Sequence, residues 1–245
     1  LEDLGDAGQT ARDVFRTLHL SGLAGDGPGQ PGGAEGGAVL DEAGRRKLAV
    51  QLGYMYRNNP CVQFCQRAVR EGWLGQVFEV DCVMSVTHSL DYRKYLAQYP
   101  GGSMFIFACH LIDLVVSLMG KPDRIVAFPR QTRPDVGVAM CDNGLIVFEY
   151  PKTTATIRTC SLEVDGYKRR QLVVCGDQGT VDIRPLEKFD IPSPQPLSLQ
   201  LALSQNREAY RKGYQEVSFP PPSGRYDLQL IELARIIRGE IENPY

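Results

Sequence analysis

The 245-residue sequence predicts an α+β domain, a large and mostly antiparallel open sheet with helices packed on one face. In the first half, segments with helical spacing separate the strands, whereas from residue 124 onward strand follows strand with turn-forming residues between them. Residues 77–87 alternate between apolar and polar side chains, which is typical of a strand with one dry and one solvated face. If helices cover one face of the sheet, the other is solvated or buried against a partner.

The elements follow from local signals. A helix is expected to begin at Pro60, with Asn58 or Asn59 as its cap, and a second helix after residues 101–102. Residues 142–144 and 176–179 are predicted hairpin turns. Strands are expected at 48–56, 77–87, 124–128, 145–150, 154–164, 170–175 and 180–183, and a last helix at 226–238.

Residues 1–45 are interpreted as a low-complexity leader or linker that is poorly ordered, and residues 46–245 as the folded domain. Ten of the 25 glycines fall within residues 1–40. Gly27, Gly29 and Gly32 form a literal G-x-G-x-x-G. We reject it as a dinucleotide motif because two prolines interrupt it, no apolar strand precedes it, and Gly36-Gly37 follow in place of a helix.

Charge and composition narrow the class of partner. The net charge of −2 gives no basic field for nucleic acid or an anionic membrane, and no apolar run approaches the roughly 20 residues of a membrane span. Most of the seven cysteines lie in apolar runs, which favours a reduced, cytoplasmic protein. Cys61 and Cys65 are four residues apart but lack a second Cys/His pair, so we expect no metal site.

His110 and Asp113 are the candidate catalytic pair. They lie three residues apart on the helix after residues 101–102, where a carboxylate could orient an imidazole whose pKa lies near neutrality. Such a pair suits proton transfer, although a purely structural hydrogen bond is the alternative. His88, at a strand end among polar residues, is expected to be an ordinary surface residue.

Two polar segments are candidate substrate contacts. Tyr56, Arg57 and Asn59 precede a helix and offer donors for a hydroxylated or carboxylated ligand; the alternative is a capped turn with a solvated arginine. Tyr92 and Lys94 precede the Gly-Gly turn, where they could close over a sugar-like substrate or form an exposed connector.

An ordered set of segments spans roughly residues 46–245: LAVQLGYMYRNNP, REGWLGQVFEVD, YPGGSMFIFACHLIDLVVSLMGKP, DNGLIVFEYP, VVCGDQGTVDI and RGEIENPY. This set resembles the C-terminal domain of the Gfo/Idh/MocA family of NAD(P)-dependent oxidoreductases. The resemblance implies a large, mostly antiparallel sheet whose open face forms homo-oligomer contacts. It also implies hydride transfer between a nicotinamide ring and a carbon that bears a hydroxyl group, with sugars, cyclitols or related polyols as substrates.

The resemblance assigns His110 to the family histidine, but the sequence departs from the family elsewhere. The family aspartate falls on Ile106, the small glycine before the histidine is Ala108, and no Glu-Lys-Pro motif or Rossmann strand–turn–helix is found. The chain starts at Leu1, so we expect a fragment or a processed product. Because both motifs are missing from the sequence, we expect the cofactor domain to be absent and this chain not to bind NAD or NADP tightly. A non-catalytic binding or assembly module derived from the family, or a generic structural domain, stays open as an alternative.

Overall fold

The computed structural model describes residues 33–99, 101–188, 195–221 and 224–242. Five α-helices occur in this part of the chain: α1 (Gly33–Arg46), α2 (Pro60–Arg70), α3 (Leu90–Leu96), α4 (Ser103–Met119) and α5 (Asp227–Ile237). Its eight strands are β1 (Val77–Ser85), β2 (Arg124–Arg130), β3 (Asn143–Glu149), β4 (Thr154–Cys160), β5 (Gln171–Gly176), β6 (Gly179–Ile183), β7 (Leu197–Leu203) and β8 (Gly213–Phe219). Short 3₁₀ helices occupy Met55–Asn58, Pro134–Val136 and Gly166–Arg169.

All eight strands join one sheet in the order β2-β3-β4-β1-β5-β6-β7-β8. Only β1 and β4 pair in parallel, and every other neighbouring pair is antiparallel. The register places Cys82 of β1 between Ile157 of β4 and Leu172 of β5. The predicted α+β class and the mostly antiparallel open sheet are therefore confirmed.

One buried cluster joins the sheet to its helices. Helix α4 packs on β1, β3 and β4, whereas α2 packs on β6 and β7. Along each strand every second side chain enters this cluster; in β7 these are Leu197, Leu199, Leu201 and Leu203. Helix α4 is apolar almost all round because it is covered on several sides. Four of its positions, Leu111, Ile112, Leu114 and Val115, are fully buried.

The opposite face of the sheet is polar at its centre. The Asp81 carboxylate accepts hydrogen bonds there from Gln171, at 2.6 Å, and from the Thr156 hydroxyl. Half-buried valines, Val147 of β3 and Val173 of β5, lie on the same face. This face is the open one that the sequence predicts.

The strand expected at 48–56 is wrong. Residues 48–54 are irregular, and Met55–Asn58 form a 3₁₀ helix. Leu48 and Leu52 are 60% and 63% exposed. No strand in the described part of the chain pairs with this segment, and an apolar run without a neighbour has nothing to bond its backbone groups as a strand.

The turn expected at 142–144 is also wrong, because Asn143 and Gly144 begin β3. The glycine is needed for packing: a Cβ built at Gly144 would lie 2.2 Å from Met104 Sδ of α4. The connection from β2 is longer, and the Asp142 carboxylate accepts from the backbone N–H groups of Thr132 and Arg133 at 2.7 and 2.8 Å. The turn expected at 176–179 does join β5 to β6 as a hairpin.

One of the reasons for rejecting the glycine motif is wrong, because helix α1 follows the motif and includes residues 36–37. Its side chains pair on the surface, where Arg45 and Arg46 both contact Glu42. Residues 1–32, which include the motif itself, lie outside the described residues.

Candidate active site

His110 lies in the middle of α4, the helix that crosses the sheet. The helix begins after Gly102, whose φ of 49° and close approach to Cys141 leave no room for a side chain: a Cβ there would lie 2.6 Å from the Cys141 carbonyl oxygen. The His110 ring meets the edges of Tyr54 and Tyr56, with both centroid distances 5.9 Å. The segment before α2 and the middle of α4 thus form one aromatic pocket around the imidazole.

The surroundings of His110 favour its neutral form. Burial, together with the positive charges of Arg225 and Arg170, lowers the pKa of His110 to about 4. Its Nδ1 atom is buried and has no hydrogen-bond partner among the described residues. At neutral pH the imidazole is therefore uncharged, and one ring nitrogen is not engaged by the protein.

Asp113 does not orient His110. Its carboxylate is buried and accepts two hydrogen bonds from Arg57, one from Nε at 2.8 Å and one from a terminal nitrogen. Burial raises the pKa of Asp113, and the Arg57 charge opposes that rise. The expected Asp–His pairing is thus corrected, because the arginine supplies the compensation that a buried carboxylate needs.

Arg57 and Asn59 both serve the local structure. The Arg57 guanidinium lies over the Tyr54 ring, 5.5 Å from its centroid, while it holds Asp113. The Asn59 side-chain oxygen accepts from the N–H of Cys61 at 2.9 Å, and its Nδ2 donates to the Leu186 carbonyl at 2.9 Å. Asn59 is therefore the predicted cap of α2.

Tyr56 is 3% exposed, and its hydroxyl faces Met84 Sδ at 4.0 Å. Burial raises the pKa of Tyr56 well above its ordinary value, and the neighbouring Glu187 carboxylate adds to the rise. This tyrosine shapes the wall of the pocket beside His110.

A buried ionic cluster that the sequence does not predict lies behind the pocket. Arg170 is fully buried, pairs with Glu187 and donates from Nε to the Ser85 carbonyl at 3.3 Å. Glu187 also accepts from Arg225 at 3.2 Å. The members come from the residue before β5, the segment after β6 and the loop before α5, so no local spacing joins them. The mutual hydrogen bonds compensate the free-energy cost of removing these charges from water.

His88 is half-buried and is not an ordinary surface residue. Its ring stacks on Phe107 with centroids 5.4 Å apart and meets the edge of Tyr92 at 4.4 Å. Burial lowers the pKa of His88 to about 4, with contributions from Arg170 and Arg93. Tyr92 thus connects to the pocket through His88 and Phe107. Lys94 is exposed on α3, and no contact described for it reaches His110.

The described residues do not match a metal or nucleotide site. They contain no group of three or more His, Cys, Asp or Glu placed to hold a metal ion, and burial raises the pKa of Cys61 and Cys65 to about 12. Pyrophosphate binding needs a glycine-rich turn between a strand and a helix, and none occurs within the ranges that the structure describes. No helix in those ranges is long and apolar enough to cross a membrane.

Comparison with known proteins finds one family model that matches part of the chain. The family model described as "GFO/IDH/MocA C-terminal domain" matches residues 62–182. No curated protein matches the chain in sequence.

Solved structures share the fold. The chain is similar to the aldose-aldose oxidoreductase from Caulobacter crescentus complexed with glycerol, with a TM-score of 0.68 and 20% identity over 85% of this chain and 59% of that one. Levoglucosan dehydrogenase in complex with NADH and levoglucosan has a TM-score of 0.65 and 16% identity, over 84% and 60% of the two chains. The same enzyme with NADH and L-sorbose has a TM-score of 0.62 and 15% identity, over 78% and 58%. The chain thus spans about three fifths of the length of these relatives.

Proposed function

Because residues 62–182 belong to the GFO/IDH/MocA C-terminal domain family, we propose that this chain is the substrate-binding domain of an NAD(P)-dependent oxidoreductase. The reaction would oxidise a CH–OH group of a sugar, cyclitol or similar polyol. The names of the similar structures support this class, since they are sugar oxidoreductases and levoglucosan dehydrogenase is seen with NADH. Nicotinamide cofactors accept a hydride from such carbons, and we assign none of the described residues to that cofactor.

One observation carries the proposal: His110 is neutral, and its Nδ1 is not engaged by the protein. A neutral imidazole can take the proton of a substrate hydroxyl as the carbon is oxidised, and it returns that proton in the reverse direction. Tyr54 and Tyr56 enclose the ring, so a bound polyol would meet an apolar wall beside a single polar group. In this scheme Asp113 and Arg57 are positioning residues that hold the Tyr54 side of the pocket.

A second candidate is a binding or assembly module that has lost the chemistry. An imidazole with a pKa of about 4 is a weak base at neutral pH. The nearest acidic residue on its helix, Asp113, is bound to Arg57, and Ile106 stands one turn before the histidine. These facts favour binding without turnover.

Titration calorimetry with levoglucosan, L-sorbose, glycerol and myo-inositol tests the proposal on the 245-residue chain. We expect at least one polyol to bind, and His110→Gln to weaken that binding by about tenfold through loss of one hydrogen bond. Tyr214→Phe, at a 74% exposed position on the edge strand β8, is the control. If none of the four compounds binds, or if the histidine variant binds equally well, the proposal is wrong.

The two candidates separate when NAD⁺ or NADP⁺ is supplied with the polyol that binds. Formation of the reduced cofactor by this chain supports an enzyme, and binding without turnover supports the module. Titration with NADH and NADPH alone is expected to show no micromolar binding; such binding would overturn our assignment of the described residues to substrate only.

We also propose a cytoplasmic homo-oligomer that forms through the open sheet face. All seven cysteines are free thiols, as expected for a reducing compartment. The open face carries the half-buried Val147 and Val173, and Phe128 is 43% exposed beside them on β2. Light scattering should give a multiple of 27.2 kDa, and Val147→Lys should return the mass to that of one chain. A single-chain mass for the unmodified protein would contradict the assembly.

A further inference from the structure

A row of aromatic rings leads outward from the candidate active site along α3 and the start of α4. It consists of His88, Tyr92, Tyr95, Tyr99 and Phe105, and we call it the aromatic row. Consecutive ring centroids lie between 4.4 and 5.7 Å apart, so each ring touches the next. The row is therefore one continuous surface rather than scattered side chains.

The inner end of the row lies close to His110 in the structure. His88 stacks on Phe107 with ring planes 27° apart, and Phe107 lies one turn before His110 on α4. The guanidinium of the buried Arg170 lies 5.6 Å from the centroid of the same Phe107 ring. The inner end of the row therefore lies about one helical turn from His110, with the buried Phe107 ring between them.

The outer rings are exposed although they are held in place. Tyr92, Tyr95, Tyr99 and Phe105 are 39%, 46%, 38% and 51% exposed. The hydroxyls of Tyr95 and Tyr99 are hydrogen-bonded at 2.9 Å, and the planes of Tyr99 and Phe105 lie within 5° of each other. Clustered exposed rings of this kind mark binding surfaces, and rings fixed by their neighbours lose little freedom when a ligand binds.

Polar groups run alongside the row. Asp91, Lys94 and Gln98 are exposed, and each directly precedes one of the three tyrosines in sequence. On α3, one residue corresponds to about 100° around the helix, so Asp91 and Lys94 flank the rings of Tyr92 and Tyr95 rather than cover them. A pyranose has apolar C–H faces and a rim of hydroxyl groups. It can pack its face on a tyrosine ring and bond its hydroxyls to flanking charged or amide groups.

We propose that the aromatic row binds pyranose units of an oligosaccharide or glycoside whose reacting unit lies at His110. This inference rests on the proposed function, and it extends the substrate class from single sugars to longer carbohydrates. A proline-rich peptide or a second copy of the chain could also pack on tyrosines, but neither explains why the row begins at a ring one helical turn from His110.

Titration of the 245-residue chain with glucose, cellotriose and maltotriose tests the proposal. At least one trisaccharide should bind more tightly than glucose, with each occupied ring contributing between about twofold and tenfold. The double variant Tyr95→Ala/Tyr99→Ala should reduce the trisaccharide affinity to that of glucose and leave glucose binding unchanged. Tyr214→Ala, which removes a 74% exposed tyrosine from β8, should change neither affinity.

Other outcomes separate this inference from the proposed function. Tyr95→Phe/Tyr99→Phe keeps the rings, so it should retain most of the trisaccharide affinity and shows that any loss is not a folding defect. His110→Gln should weaken glucose and trisaccharide alike. If glucose binds at His110 but no trisaccharide binds more tightly, the row proposal is overturned and the function stands. It is also overturned if a decaproline peptide binds the row in preference to sugar, or if Tyr95→Ala/Tyr99→Ala lowers the mass measured by light scattering. If none of the three sugars binds although one of the four polyols above does, the row proposal alone is overturned. If none of these seven compounds binds, both proposals fail.

Discussion

Arg57 donates hydrogen bonds to both carboxylate oxygens of Asp113, although the two residues lie 56 positions apart in the chain. The contact ties the segment before α2 to the middle of α4. The Asp113 side chain is 3% exposed and the Arg57 side chain 20% exposed, so solvent screens the pair little. The aspartate that the sequence assigned to proton transfer therefore builds the wall of the pocket.

Arg57→Ala should lower the free energy of unfolding by about 3 kcal/mol at neutral pH, because a buried carboxylate is left without its cation. The loss should be smaller near pH 4. Burial already raises the pKa of Asp113, and without Arg57 the carboxyl would protonate at still higher pH. Chemical denaturation at the two pH values measures this, with Asp113→Asn and the double variant completing the cycle. Equal losses at both pH values would contradict the buried ion pair.

Asn59→Ala should lower the free energy of unfolding by about 1 kcal/mol, since the first turn of α2 loses its cap. Asn59→Asp keeps the capping oxygen and loses only the donor to Leu186, so it should cost less. Neither variant should change polyol affinity by more than about twofold, because the protein occupies the amide. A large loss of polyol affinity in a stable Asn59→Asp protein would restore Asn59 as a substrate contact.

Stability should fall as the pH is lowered from about 6.5 to about 4. Both His88 and His110 have pKa values lowered to about 4, so between these limits the unfolded chain binds more protons than the folded chain. The stabilisation is complete above the unfolded pKa and is lost as the pH falls through the folded one. His110→Gln and His88→Gln should each flatten part of this slope in denaturation experiments. An unchanged slope in both variants would show that the histidines are not buried in neutral form.

Ile106→Asp should raise the pKa of His110, because it places a carboxylate one helical turn before the imidazole. Ile106→Asn has the same shape without the charge, and it should leave the pKa near 4 while costing similar stability. NMR titration of the His110 ring signals measures the difference. In a protein that turns over a polyol, the aspartate variant should also raise activity. A His110 pKa that is the same in both variants would place residue 106 away from the imidazole.

The elements that the sequence predicts well are those whose pattern is local. The alternation around Val80 and Cys82 gives β1, and Asn59-Pro60 marks the start of α2. Strand β7 carries an equally clear alternation of four leucines. The sequence therefore contains the signal for this strand, although it is not among the strands expected above. The apolar run at 48–56 does not form a strand. Such a run is buried only where another element packs against it, and Leu52 is exposed.

The candidate site depends on contacts that sequence spacing does not encode. The sequence indicates His110 because it lies on a predicted helix three residues before Asp113, and the family resemblance assigns it to the family histidine. The sequence does not predict that Glu187 pairs with Arg170 and Arg225. The three residues meet only after β5 and the segments that follow β6 and β8 have folded. For the same reason the partner of Asp113 turned out to be a residue from before α2 rather than the histidine three positions away. Side chains on one helix face are neighbours, but burial decides which charge each one pairs with.

Intermolecular nuclear Overhauser contacts test the central assignment most directly. With the 245-residue chain saturated by the polyol that binds most tightly, the ring protons of His110 should show contacts to C–H protons of the ligand. The same contacts should disappear in His110→Gln without loss of the fold. Saturable binding with ligand contacts only to residues away from His110, Tyr54 and Tyr56 would contradict the account.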